Sequence, residues 1–231
     1  MLEIDILSLF PEYFTSPLKQ SILKRALSNG LVEIRSHNIR DFAEDKHKTV
    51  DDKPFGGGPG MVMKAPPIKK ALDAVKKPHS HTIYLSPQGS PLKAASCRRF
   101  SQKKHLILLC GHYEGIDERI IENYIDEEVS IGDFVMTSGC PAALCFIDSV
   151  VRLVPGAIGS EESHKQDSFE NGLFDHPHYT QPRDFEGHSV PEILLEGHHE
   201  KIAFWRKNKA LEKTQKKRHD LIVKSSPSSQ S

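Results

Sequence analysis

No run in the 231-residue chain approaches the roughly 18 consecutive apolar residues of a membrane span, so nothing in the sequence reads as one. The first ten residues, MLEIDILSLF, hold two acids among apolar residues and no basic region, which excludes a secretory signal. Cysteine is sparse: Cys97, Cys110, Cys140 and Cys145 show no C-x-x-C spacing and lie mostly among apolar residues. That pattern excludes a disulfide framework and reads as reduced thiols in a cytoplasmic protein. Net charge is also missing, with 31 basic against 31 acidic residues. A nucleic-acid binder with this balance must segregate its charge. There is no G-x-S-x-G elbow for Ser-His-Asp hydrolysis. The glycine run at 56–60 lacks the following Gly-Lys-Ser/Thr of a phosphate loop and does not fit the dinucleotide fingerprint.

Glycine and apolar residues concentrate at 110–139, CGHYEGIDERIIENYIDEEVSIGDFVMTSG. The apolar run HLILL (105–109) precedes it and predicts a buried strand ending in a glycine loop, Gly111 to Gly115. A short acidic helix follows, then a β-like run at 128–131 and a second loop holding Gly132 and Gly139. Two glycine loops at the ends of neighbouring strands predict a small-molecule crevice. Further strands are expected at the alternating N-terminus, at 32–39 and at 81–85, the last ending in the turn Ser86-Pro87-Gln88-Gly89. Helices are expected from Ser16-Pro17 to Asn29-Gly30, from Pro66-Pro67 to Val75, over 91–100, and from Pro141 to Val151. Alternation of strand and helix predicts an α/β fold whose parallel sheet is covered on both faces. For the run Pro54-Phe55-Gly56-Gly57-Gly58-Pro59-Gly60, composition favours an exposed turn. The alternative is a backbone close to a substrate, flanked by charges that touch phosphate.

Composition changes at Pro155-Gly156. The expected organisation is a domain over 1–158, a polar flexible linker over 159–172, a smaller helical domain over 173–224 and a disordered tail over 225–231. A helix over 198–218 collects Lys201, Arg206, Lys207, Lys209, Lys213, Lys216, Lys217 and Arg218 against Glu200 and Glu212 alone. This is the segregated charge, and it suits a phosphate-tracking surface; the alternative is a solvated helix face, and in either case Trp205 reads as the helix's core anchor. His176, His178, His188, His198 and His199 have H-x-H and H-H spacings with no cysteine nearby, so no metal ligand set is assigned to them.

With these residues in view, the sequence resembles the bacterial tRNA (guanine-N1)-methyltransferases of the SPOUT class. The motifs carrying the resemblance begin with Ser8-Leu9-Phe10-Pro11-Glu12, Arg40-Asp41-Phe42 and Thr49-Val50-Asp51-Asp52, and run through Gly56 to Met61. They continue with Tyr84-Leu85-Ser86-Pro87-Gln88-Gly89, Cys110-Gly111, Tyr113-Glu114-Gly115-Ile116-Asp117-Glu118-Arg119 and Ser130-Ile131-Gly132-Asp133. Further on stand Ile147-Asp148-Ser149-Val150, Val154-Pro155-Gly156, Asp167-Ser168-Phe169 and Pro177-His178-Tyr179-Thr180. The match extends to about Arg206.

The resemblance implies a parallel-sheet domain with a C-terminal trefoil knot, a linker and a small helical tRNA-binding domain. It implies S-adenosylmethionine as methyl donor, and a homodimer with the active site at its interface. The substrate it implies is the guanosine immediately 3′ of the anticodon. Asp167 takes the part of general base and Arg152 that of the cation stabilising charge on O6. Gly111, Ile131, Gly132, Asp133, Phe134, Val135 and Met136 match donor-binding positions; Ser86, Pro87, Glu114 and Gly139 line the same pocket. Magnesium is a requirement of some members, and no residue here is assigned to it.

One departure concerns the loop after Met136. The family reads Ser-Gly-Gly-Glu-Leu-Pro-Ala where this chain has Thr137-Ser138-Gly139-Cys140-Pro141-Ala142-Ala143. These positions border the donor. Two other readings therefore stay open: a tRNA-binding protein without catalysis, and a related knotted methyltransferase acting on another RNA site.

Overall fold

Seven strands and five helices follow one another in the N-terminal part of the computed structural model, which describes residues 1–159 and 167–223. The strands are β1 (Leu2–Ser8), β2 (Val32–Asn38), the two-residue β3 (Asp51–Asp52) and β4 (Val62–Met63), β5 (Ser80–Pro91), β6 (His105–Cys110) and β7 (Glu127–Ser130). The helices are α1 (Ser21–Ser28), α2 (Ala65–Val75), α3 (Ala94–Ser101), α4 (Glu118–Tyr124) and α5 (Cys140–Val151). Five strands form one parallel sheet in the order β2-β1-β6-β5-β7. Ile4 stands opposite both Ile34 and Leu106 in the register.

Alternation along the strands divides the core in two, because successive side chains point to opposite faces. Ile4, Ile6, Ile83, Leu106, Leu108 and Cys110 pack against α1, α3 and α5 through residues such as Ala26, Phe100 and Phe146. Leu7, Leu9, Tyr84, Ile107 and Leu109 pack on the other face, against α2 and α4 through Ile68, Leu72 and Ile120. Every residue of β6 is buried, as a central strand covered on both faces requires. The expected α/β parallel sheet is what the structure has.

Three local expectations need correction. The helix read from Ser16-Pro17 is interrupted: Pro17–Lys19 makes a short 3-10 turn, Gln20 is extended, and α1 starts at Ser21. Its stop holds, with Gly30 at φ +65° where a side chain is strained. Nor does β5 end at Leu85. Leu85 and Ser90 both pair with Val129, so residues 86–89 bulge out of a strand that resumes and runs to Pro91. Gly89 is needed there because a Cβ would meet the Val129 nitrogen at 2.4 Å. Finally, β1 is buried on both faces, including Asp5, which alternation would have sent to solvent.

Asp5 is 2% exposed. It accepts hydrogen bonds from Arg35 Nε and Nη2, both at 2.9 Å, and lies 2.6 Å from His37 Nε2 and 2.7 Å from His105 Nε2. Burial raises its pKa, but these partners outweigh burial and hold the carboxyl well below the usual carboxylate range.

The chain divides into two compact units, Met1–Gly159 and Ser160–Ser231. In the second, β8 (Asp184–Phe185) and β9 (His188–Ser189) form a small hairpin, followed by α6 (His199–Lys217) and α7 (His219–Val223). Thr214 is fully buried on α6; its hydroxyl accepts from Phe174 N at 2.8 Å and donates to the Ala210 carbonyl at 2.7 Å. Trp205 is half-buried and pairs with the Tyr179 ring at 6.4 Å. The linker expectation falls in part on residues 160–166, outside the described residues, and the tail at 225–231 lies outside them entirely.

Candidate active site

At the C-terminal ends of β5, β6 and β7 lies a cavity of about 390 Å³. Each wall comes from a strand end. The bulge in β5 supplies Ser86 and Pro87, and the loop after β6 supplies Gly111 and Glu114. The loop after β7 supplies Ile131, Gly132, Phe134, Val135 and Met136, and Gly139 closes the ring at the start of α5. All are expected donor-binding residues. Asp133, expected with them, is exposed and does not line the cavity.

Backbone groups draw these loops together. Gly139 N–H donates to the Gly111 carbonyl at 2.8 Å, and His112 and Ser138 form an antiparallel bridge. A Cβ on Gly139 would fall 3.0 Å from both Cys110 Cα and Gly111 N; one on Gly111 would fall 2.8 Å from the Tyr84 hydroxyl. Side chains at either position would force the loops apart. Ser130 Oγ accepts from Gly132 N at 3.2 Å and donates to the Gly132 carbonyl at 3.0 Å, shaping the turn that presents Phe134. Phe134 and Val135 are 55% and 85% exposed, apolar surface held out beside a cavity. Apolar walls with a few convergent backbone groups are what a small planar ligand requires.

Several lining residues were not legible in the sequence. Tyr84 reads as strand core, yet its ring also floors the cavity; burial, then the Glu128 and Glu118 carboxylates, push its pKa up to about 12. His112 lies between two residues of the glycine loop, which was the available signal. Its ring packs on Phe10 and Tyr113, and its buried Nδ1 has no hydrogen-bond partner. Gln88, Thr137 and Ala142 complete the walls.

The glycine run at 56–60 is rooted on the same loop. Met63 N donates to the Gly115 carbonyl at 2.9 Å, Glu114 N to Met61 at 3.0 Å, and Asp117 N to Met63 at 3.0 Å. Gly60, at φ +79°, lies against the Glu114 side chain, while Phe55 is wholly exposed.

Beneath the cavity wall, Cys140 Sγ lies 3.2 Å from Ser8 Oγ, and its backbone nitrogen donates to Ser138 Oγ at 3.3 Å. The Cys110 thiol hydrogen-bonds to Cys140, which pushes the Cys110 pKa up and, together with Ser8 and Ser138, draws that of Cys140 down against burial. Two of the departing residues, Ser138 and Cys140, thus share one polar cluster with Ser8 and Cys110.

Arg152 is the C-terminal cap of α5, half-buried, and close enough to Cys97 to favour its thiolate against the upward push of burial. Asp167 belongs to the second unit, in a turn where its carbonyl accepts from Glu170 N and Phe169 takes φ +79°. Also in that unit, a cavity of about 330 Å³ is lined by His176, His178, Tyr179, Arg183 and Arg206. Most of the basic residues of α6 are exposed, Lys209 being half-buried and paired with Glu212 at 2.7 Å.

Comparison with known proteins fits this arrangement. The family described as tRNA (Guanine-1)-methyltransferase TrmD matches residues 2–224. A protein of Protochlamydia amoebophila is 54% identical over 220 residues, covering 95% of this chain and 99% of that one. One from Carboxydothermus hydrogenoformans is 53% identical, covering 96% and 87%, and one from Dictyoglomus turgidum is 53% identical, covering 98% and 92%. All three are named tRNA (guanine-N(1)-)-methyltransferase. By the extent of the family match and the identity of these relatives, the chain belongs to the tRNA (guanine-1)-methyltransferase family.

Proposed function

We propose that this protein methylates N1 of the guanosine immediately 3′ of the anticodon in tRNA, with S-adenosylmethionine as donor. The observation carrying the proposal is the cavity at the ends of β5, β6 and β7, where nearly all the residues expected to hold the donor converge. Its volume falls within the roughly 300–1,000 Å³ of small-molecule sites. Backbone groups near Gly111 and at 131–136 suit the adenine edge, and the Phe134 and Met136 side chains suit its faces. When bound, the donor supplies a methyl group already activated by a sulfonium charge.

The chain's part is then to make guanine a nucleophile. N1 of guanine is protonated at neutral pH, so Asp167 takes that proton, and Arg152 stabilises the negative charge that develops on O6. Asp167 reaches the site from the opposite subunit of a homodimer. The domain over 1–158 holds the donor within a knotted C-terminal part. Residues 173–224 bind tRNA through the basic residues of α6, and 159–172 join them to the donor-binding domain. The protein acts in the cytoplasm; no helix among the described residues is long and apolar enough to cross a membrane. Magnesium is not assigned to any residue.

Incubation with unmodified tRNA and S-adenosylmethionine, followed by mass-spectrometric mapping of the methylated nucleoside, tests the proposal. It predicts 1-methylguanosine next to the anticodon and no product when that guanosine is replaced. Methylation that persists at another site would favour a different RNA target. Tight tRNA binding without donor affinity would favour a non-catalytic binder.

A further inference from the structure

The second unit brings together three groups that the sequence left unassigned. Asp175, His176 and His178 offer one ligand atom each, and these atoms lie within 4.8 Å of one another. We propose that Asp175, His176 and His178 form a binding site for a transition-metal dication of the zinc or cobalt type. Nothing in the reading of the donor cavity or of Asp167 bears on this site, and the two stand or fall separately.

The local geometry supports ligation rather than mere proximity. His176 Nδ1 lies 3.1 Å from the Pro177 carbonyl, which only accepts, so the ring proton sits on Nδ1. Its Nε2 is left as a free lone pair, 3.8 Å from Asp175 Oδ1. A backbone carbonyl fixing the tautomer of a ligating histidine is the usual outer-shell arrangement at metal sites. His178 Nε2 lies 2.7 Å from Asp175 Oδ2, close to the ligand–ligand edge of about 3.3 Å in a tetrahedral zinc site. The proton in that hydrogen bond occupies the place the metal would take; ligation through Nε2 requires the neutral ring to carry its proton on Nδ1 instead. The widest separation must contract by up to about one and a half ångströms to reach such an edge. His178, with its side chain 70% exposed, has the freedom to supply that movement.

The carboxylate is already held in place. Asp175 N donates to Ser168 Oγ at 2.9 Å, and Asp175 Oδ1 accepts from His176 N at 2.6 Å. Two imidazoles and one carboxylate select a borderline metal over calcium or magnesium. They also leave coordination positions open, and both histidines line the cavity of about 330 Å³ together with Arg183 and Arg206. The H-x-H spacing lacked a third ligand in the sequence; the structure supplies the residue immediately before it.

The test uses the full-length protein, stripped with chelator and titrated with Co²⁺ alone while visible d–d absorbance is followed, then with Zn²⁺ in competition. One equivalent is expected to bind with tetrahedral or five-coordinate bands. His176→Ala and His178→Ala should each weaken binding by on the order of a hundredfold, and His188→Ala should leave it unchanged. Retained helix content by circular dichroism, expected because His178 is exposed, confirms that the loss is local. Absence of d–d bands in the parent protein, or affinity unchanged in both His176→Ala and His178→Ala, overturns the assignment.

Discussion

The Tyr84 hydroxyl and the α-carbon of Gly111 share one space: a methyl placed on the glycine would sit 2.8 Å from the phenol oxygen and 3.0 Å from Cε2. Tyr84 is 6% exposed and cannot swing clear, so the cavity rim and its floor must move together. Gly111→Ala should weaken S-adenosylmethionine binding by about tenfold, an overpacking cost of roughly 1–2 kcal/mol. Adding Tyr84→Phe removes the nearer clash and should recover part of the loss. Calorimetry on the single and double variants decides it; donor affinity in Gly111→Ala equal to the parent's would sink the account.

Asp167→Ala should abolish turnover, by about 10² to 10⁴ in kcat as for loss of a general base, with donor affinity nearly unchanged. Single-turnover methylation beside calorimetry separates the two quantities. A variant methylating at close to the parent rate would mean that another group takes the N1 proton.

Asp5 sets an acid limit on stability. Its folded-state carboxyl titrates below the unfolded value of about 3.9, so its contribution is fully present above that pH. The contribution is lost as pH falls through the folded value. Asp5→Asn would remove the buried charge that Arg35, His37 and His105 share, while Glu3 and Glu33 still pair with Arg35, and should cost about 1–3 kcal/mol at pH 7. Urea unfolding at neutral pH and near pH 3 checks both points: the variant should lose less stability on acidification than the parent. An equal loss in the two proteins would show that other carboxylates govern the acid limb.

Thiol reactivity should follow access rather than acidity. Cys145 is exposed, whereas Cys97, Cys110 and Cys140 are buried. Iodoacetamide should label Cys145 first in the native protein and the other three only in denaturant. Rapid native labelling of Cys140, read by peptide mass spectrometry, would show that α5 opens at its first turn.

Much of this was legible before any coordinates. The run 105–109 announces a strand buried on both faces, and the glycine loops on either side of 116–131 announce a crevice at strand ends. What escaped was whatever depends on two distant segments meeting. Asp5 reads as an outward residue until Arg35, His37 and His105 arrive from neighbouring strands. Residues 86–89 read as a turn that ends a strand, because local propensity carries no information about β7 resuming the pairing at Ser90. Tyr84 is indistinguishable from core in a run such as HTIYL. The cluster at Asp175 was invisible because spacing alone does not say which side chains face inward.

The root of the glycine run has a mechanical meaning. Residues 61–63 are laced by backbone bonds to 114–117, the loop that forms one wall of the cavity, while Phe55 at the far end meets only solvent. Arm and wall are therefore a lever and its seat. Whatever grips the arm at Phe55 pulls through Met61 and Met63 on the strip of chain carrying Glu114. Contact with a large substrate at that tip would reach the pocket only along the backbone, through the bonds that tie 61–63 to 114–117.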